Sequence, residues 1–196
     1  MKSRIFIFCL LLCVPGAALA QTIVVSFGAQ PALCTPASLA TKSSTAVCSP
    51  TSSFVASSYS WSGTLAYGSG GPNTGGKVSL ADQLMIKPID DSSTALLIGL
   101  LKGVMETGNQ TNSMLIAVYR STSDLSAGVS PVYTVLLSLL VVPTELRALD
   151  STGSTPQEFL SVAFEEIQVT VNTINSTGKV TATYTYTYNR KTNTLS

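Results

Sequence analysis

The apolar alternation between Glu158 and Val171 changes phase midway, and that irregularity constrains the fold more than any other feature of the chain. Leu160, Val162 and Phe164 share one face of an extended segment, and after Glu165-Glu166 the series resumes as Ile167, Val169 and Val171. Side chains of a strand alternate with period two, so a shift of one residue moves the apolar set to the other face unless a bulge or sharp bend intervenes. The segment therefore predicts a sheet that curves.

The stretch Gly76 to Glu106 supplies the complement. Lys77-Val-Ser-Leu-Ala-Asp-Gln-Leu-Met-Ile-Lys87 reads as a strand, stopped by Pro88. Asp90-Asp91-Ser92-Ser93 then caps a short apolar helix that runs through Lys102 and Gly103. Asp and Ser oxygens accept from the unpaired N–H groups of a first helical turn, while Lys and Gly suit the last. Asp82, inside the strand, is expected to face solvent or to pair with Lys77 or Lys87.

Elsewhere the pattern is of strands and loops. Thr22 to Phe27 reads as a first strand, followed by a Pro-, Ala-, Ser- and Thr-rich loop from Ala29 to Ser53. Phe54 to Tyr67 is a strand region, and Gly68 to Gly76 a flexible loop that lacks the G-x-x-x-x-G-K-[ST] spacing of a phosphate cradle. Ser113 to Arg120 is a strand; Val132 to Val142 is a long one, with Pro143 marking its end. Asp124 to Pro131 and Leu146 to Pro156 read as loops. Lys179 to Tyr188 is a C-terminal strand joined by the Asn175-Ser-Thr-Gly178 turn to the strand before it. It carries Val180, Ala182, Tyr184, Tyr186 and Tyr188 on one face and threonines on the other. The Tyr184, Tyr186, Tyr188 stripe either covers one side of the fold or presents a binding face for a carbohydrate or a partner.

The N-terminus has Lys2 and Arg4, an apolar run from Ile5 to Val14, a Pro15-Gly16 break and Ala18-Leu19-Ala20. This is the pattern of a cleavable secretory signal over residues 1–20, cut between Ala20 and Gln21; the apolar run is far short of the ~20 residues that span a bilayer. Cleavage leaves Cys34 and Cys48 as the remaining thiols. In an oxidising compartment such a pair reads as a disulfide closing a loop of about 15 residues, worth ~3 kcal/mol through the unfolded chain. A metal or redox pair would want C-x-x-C spacing or a histidine.

The sequence has no histidine, which removes Ser-His-Asp, Cys-His and histidine–metal chemistry. Paired carboxylates remain, but capping accounts for Asp90-Asp91, and Glu165-Glu166 lies at the bend with one side chain expected outward and the other in a salt bridge or subunit contact. Neither spacing demands the facing carboxylates of a glycosidase, so no enzyme and no cofactor is expected. The chain carries a net charge of +1, and −1 once Lys2 and Arg4 are removed. With no basic run, neither nucleic acid nor an anionic membrane is an expected partner. No stable membrane insertion is expected after Gln21.

Several blocks together resemble the haemolysin-coregulated protein (Hcp) family, the inner-tube proteins of type VI secretion systems. They are Ser58-Tyr-Ser-Trp61, Gly76-Lys-Val-Ser-Leu80, Met85-Ile-Lys-Pro-Ile-Asp90, the Ser93 to Gly103 helix, Met114 to Arg120, and Leu160-Ser-Val-Ala-Phe-Glu-Glu-Ile-Gln-Val-Thr170. The resemblance runs over residues 54 to 174. It implies a mainly β fold, a β-barrel of two sheets with one short flanking α-helix, and a homo-oligomer in which six copies form a ring able to stack into a tube and carry secreted effectors or meet other secretion-system components. The expected organisation is a signal peptide (1–20), an N-terminal strand and disulfide-bearing loop (21–53), an Hcp-like domain (54–190) and a tail (191–196). The leader sits oddly with that family, whose tube subunits leave the cytoplasm through the apparatus itself. An exported monomeric binding or adhesion module that kept the barrel is the alternative, and the exported, periplasmic or extracellular location follows from the leader in either case.

Overall fold

The computed structural model describes residues 21–27, 53–66, 77–103, 113–149 and 155–196. The expected leader through Ala20, the Cys34 and Cys48 loop and the Gly68 to Gly76 loop lie outside them. Gln21 is described; it is exposed and directly precedes the first strand.

Thirteen strands and two helices follow one another among the described residues. β1 (Thr22–Phe27), β2 (Ser53–Ala56), β3 (Ser58–Ser60), β4 (Gly63–Ala66), β5 (Lys77–Leu80) and β6 (Gln83–Pro88) precede α1 (Asp91–Lys102). Then come β7 (Met114–Tyr119), α2 (Thr122–Ser126), β8 (Tyr133–Ser138), β9 (Val142–Leu149), β10 (Gln157–Ala163), β11 (Glu166–Ile174), β12 (Val180–Asn189) and β13 (Thr194–Leu195). A seven-stranded sheet has the order β13-β12-β11-β8-β7-β1-β2, a four-stranded sheet the order β3-β6-β10-β9, and β4 and β5 pair alone.

The chain passes between the two larger sheets at three short corners. Ser57 separates β2 from β3 and donates its N–H to Ile86 O at 2.7 Å. Leu139 to Val141 separates β8 from β9, with Leu139 at φ +70°. Phe164-Glu165 separates β10 from β11. This last corner is the phase change seen in the sequence: Leu160, Val162 and Phe164 are buried from one sheet, Ile167 from the other. The mainly β architecture of two larger sheets with a flanking helix is the one the resemblance implied, joined by bent corners and without the closed ladder of a barrel among the described residues.

The core fills the space between the sheets, with Val25, Ile116, Val135 and Leu137 facing Met85, Leu160 and Val162. Leu96 brings α1 into that core, and the helix packs beside β9. Its ends are as the sequence implies. Asp90 is the N-cap and accepts from Ser92 N at 3.0 Å, Ser93 Oγ accepts from Asp90 N at 3.0 Å, and Gly103 closes the helix at φ +65°. A left-handed closing residue is cheap only for glycine.

Four expectations are corrected. Lys77 to Lys87 is two strands in different sheets, parted at Ala81-Asp82, because the buried phase moves from Leu80 to Gln83, Met85 and Lys87. The strand expected from Val132 to Val142 breaks at Leu139, and Pro143 does not end it. Pro143 lies inside β9, an edge strand paired only with β10, opposite Val162 where the register shifts; an edge or a bulge is where a residue without N–H is tolerated. Leu146 to Leu149, expected as loop, continues β9. The loop expected from Asp124 begins inside α2, capped by the Ser121 side chain and anchored by buried Leu125.

Candidate functional site

Two constellations emerge once the sheets are in place, and neither is a local motif. The first surrounds Lys87, which the apolar pattern did not mark as an interior residue. β6 aims its side chain inward and buries it completely. Its ammonium lies 2.7 Å from Glu158 Oε1, 2.8 Å from Pro88 O, 2.9 Å from Asp90 Oδ1 and 3.1 Å from Ser93 Oγ, and 5.0 Å from the centre of the Phe54 ring. Ser93 Oγ donates to Glu158 Oε1 at 2.7 Å. A buried cation is tolerable only when its protons are all taken and an anion is close. Here three donor hydrogens meet four acceptors, which ties β6, β10 and the start of α1 together.

Asp82, expected to face solvent or pair with Lys77 or Lys87, is partly exposed, lies 3.6 Å from Arg190 Nη1 and accepts from Thr144 Oγ1 at 3.1 Å. Lys87 is already committed to Glu158, and the Lys77 side chain lies outside the described residues. Arg190 also donates to Phe164 O at 2.9 Å and stacks 4.8 Å over the Phe164 ring, so one guanidinium holds the β10–β11 corner. Of the two carboxylates there, Glu166 accepts from Ser138 Oγ at 3.0 Å and Asn189 Nδ2 at 3.4 Å. Among the described residues neither Glu165 nor Glu166 forms an ion pair within the chain, so of the two alternatives expected for one of them, a salt bridge or a subunit contact, the first is not seen. No group of three or more His, Cys, Asp or Glu residues among the described residues could hold a metal, and no helix among them is long and apolar enough to cross a membrane.

The second constellation is the Tyr stripe. In the β11–β12 hairpin Ile167 pairs with Tyr188, Val169 with Tyr186 and Val171 with Tyr184, so these six share a face. The opposite face is a hydroxyl ladder, with Thr170 Oγ1 3.1 Å from Thr185 Oγ1 and Thr183 Oγ1 donating to Asn172 Oδ1 at 2.8 Å. The stripe divides along its length. Tyr188 is half-buried and its hydroxyl lies 2.6 Å from Asn193 Oδ1 and 3.0 Å from Val78 O, whereas Tyr184 and Tyr186 are 55% and 54% exposed.

Between the hairpin and the β4–β5 ribbon lies a cavity of about 420 Å³. Ile167 and Val169 line its sheet side, Val78 and Leu80 its ribbon side, and Trp61, Tyr186 and Leu195 the mouth. Tyr188 and Asn193 supply its polar end. The sequence pointed to one wall of it, the tyrosines; Trp61, Val78 and Asn193 reach it only through the fold.

A different aromatic pair links the sheets. Tyr59 donates to Tyr133 Oη at 3.1 Å, and burial, reinforced by that hydrogen bond, pushes the Tyr59 phenol well above its ordinary value. Burial pushes Tyr119 up as well.

No protein-family model matches the sequence, and no curated protein does. The fold, by contrast, is similar to solved structures. Hcp1 from Salmonella typhimurium superposes with a TM-score of 0.58 at 13% identity, over 91% of this chain and 100% of that one. A type six secretion system protein gives 0.63 at 14% identity, over 90% and 99%, and Hcp1 from the E. coli EAEC 042 pathovar 0.55 at 13%, over 86% and 99%. At such identities the likeness is one of backbone architecture, and what it establishes is that this chain has an Hcp-like fold.

Proposed function

We propose that the protein is a ring-forming structural subunit of the secretion-tube type, exported behind its own leader. The observation that carries this reading is the correspondence of nearly the whole chain with nearly the whole of a type six secretion system protein, at a TM-score of 0.63. Physical chemistry supports it too. The seven-stranded sheet ends in β2 on one side and in β12 with the two-residue β13 on the other, two unlike edges on one subunit. Unlike surfaces that meet head to tail close into a ring when the rotation permits, and bury edges that would otherwise template aggregation.

In this reading six copies form the ring, secreted effectors or other secretion-system components are its partners, and the mature chain begins at Gln21 with Cys34 and Cys48 joined in a periplasmic or extracellular setting. Light scattering after size exclusion tests the assembly: a mass near six chains is expected, and a single-chain mass at all concentrations contradicts it. Intact-mass spectrometry tests the rest, with loss of residues 1–20 and of two hydrogens expected; an intact leader or two free thiols contradicts it. The exposure of Tyr184 and Tyr186 favours a second reading, an exported monomeric binding module, for which a single-chain mass would be the signature.

A further inference from the structure

The cavity beneath Tyr186 has the size, lining and polarity of a ligand site rather than of a packing fault. Its volume of about 420 Å³ lies within the ~300–1,000 Å³ usual for small-molecule sites. It is nearly three times the ~150 Å³ void that suffices for benzene. Among the described residues no Asp, Glu, Lys or Arg lines it, and an ion entering would lose hydration without gaining a partner from them.

The polar end is specific. The single Tyr188 proton is spent on Asn193 Oδ1 and Val78 O, which leaves the phenol oxygen as an acceptor. Asn193 sits at φ +55°, in the left-handed region that Asn adopts more readily than most residues, with its Oδ1 turned to Tyr188 and to Val78 N. Trp61 and Tyr186, both partly exposed, add aromatic surface to the lining, which suits a flat or cage-shaped apolar body.

We propose that this cavity binds an uncharged, mainly apolar molecule of one or two rings, with one hydroxyl donating to the Tyr188–Asn193 end. The site stands on the cavity alone and does not depend on ring assembly.

Trp61 is the chain's only tryptophan and lies at the mouth, so the protein carries its own reporter. Cyclohexanol, borneol and, as a charged counterpart, cyclohexanecarboxylate are titrated into the full chain while Trp61 emission is followed. Saturable shifts with both alcohols, one site per chain, and at least about tenfold weaker binding of the carboxylate are expected, tenfold being ~1.4 kcal/mol. Val169→Phe, which fills the cavity from its sheet side, and Tyr186→Ala, a change at a largely exposed position, each weaken borneol by about tenfold. If Val169→Phe does not fold, Tyr186→Ala carries the test. A non-saturating response, equal affinity for the carboxylate, or borneol affinity unchanged in a folded variant overturns the proposal. So does saturable binding of an uncharged Phe-containing peptide without any binding of borneol, which would make the cavity an anchor pocket for a protein partner.

Discussion

Lys87 and Glu158 face each other across neighbouring strands β6 and β10, ammonium to carboxylate at 2.7 Å, with the lysine side chain fully buried. Such a pair contributes less by its attraction than it costs when one member is lost, since the survivor is a buried charge with no counter-ion. Lys87→Met is therefore expected to lower unfolding free energy by about 3–5 kcal/mol, measured by chemical denaturation. Lys87→Met combined with Glu158→Leu recovers most of the loss. A double variant as unstable as the single one would mean that the pair does not act as a unit.

The helix start depends on the same cluster. Asp90 caps α1 and accepts from Lys87, while its neighbour Asp91 is exposed. Asp90→Ala is expected to cost at least the ~1 kcal/mol of a lost N-cap, and Asp91→Ala about 0.5 kcal/mol or less. Equal effects in thermal denaturation would contradict the assignment of the cap.

Tyr59 and Tyr119 give the protein an alkaline limit. Both phenols are raised above the ordinary tyrosine value of ~10, so above that pH the native state holds protons that the unfolded chain releases. Stability is unaffected below about pH 10 and falls as pH rises further. A phenolate absorbance titration should show two tyrosines ionising only as the protein unfolds, and Tyr59→Phe should make the loss of stability with pH less steep. Ionisation of all seven tyrosines in the native state would refute this.

Leu139 turns the chain from β8 into β9 at φ +70° while 57% exposed. A left-handed conformation costs a residue with a Cβ about 1–2 kcal/mol, and glycine returns part of that as entropy of the unfolded chain. Leu139→Gly should stabilise by about 0.5–1 kcal/mol, and Leu139→Val should destabilise. The reverse order in a denaturant series would show that this corner is not strained.

Legibility in the sequence followed the honesty of the apolar pattern. At β10–β11 the phase change is written in six apolar residues, and the corner was readable. At β5–β6 the same manoeuvre was hidden, because Leu84 and Ile86 keep the phase of Val78 and Leu80 while the structure buries Gln83 and Lys87 instead. A lysine in a core breaks the period-two rule, and only its distant partner Glu158 makes that burial tolerable. Pro143 misled in another way: a proline ends a central strand but can sit in an edge one, and the edge is a property of the sheet. The cavity was less legible still, since its lining runs from Trp61 to Leu195 with no spacing to read.

The central proposal is that this Hcp-like fold assembles into a ring outside the cytoplasm, and negative-stain imaging of the purified protein tests it most directly. Class averages with six-fold symmetry around an open lumen are the predicted result. Uniform single-chain particles, at every concentration imaged, would contradict it.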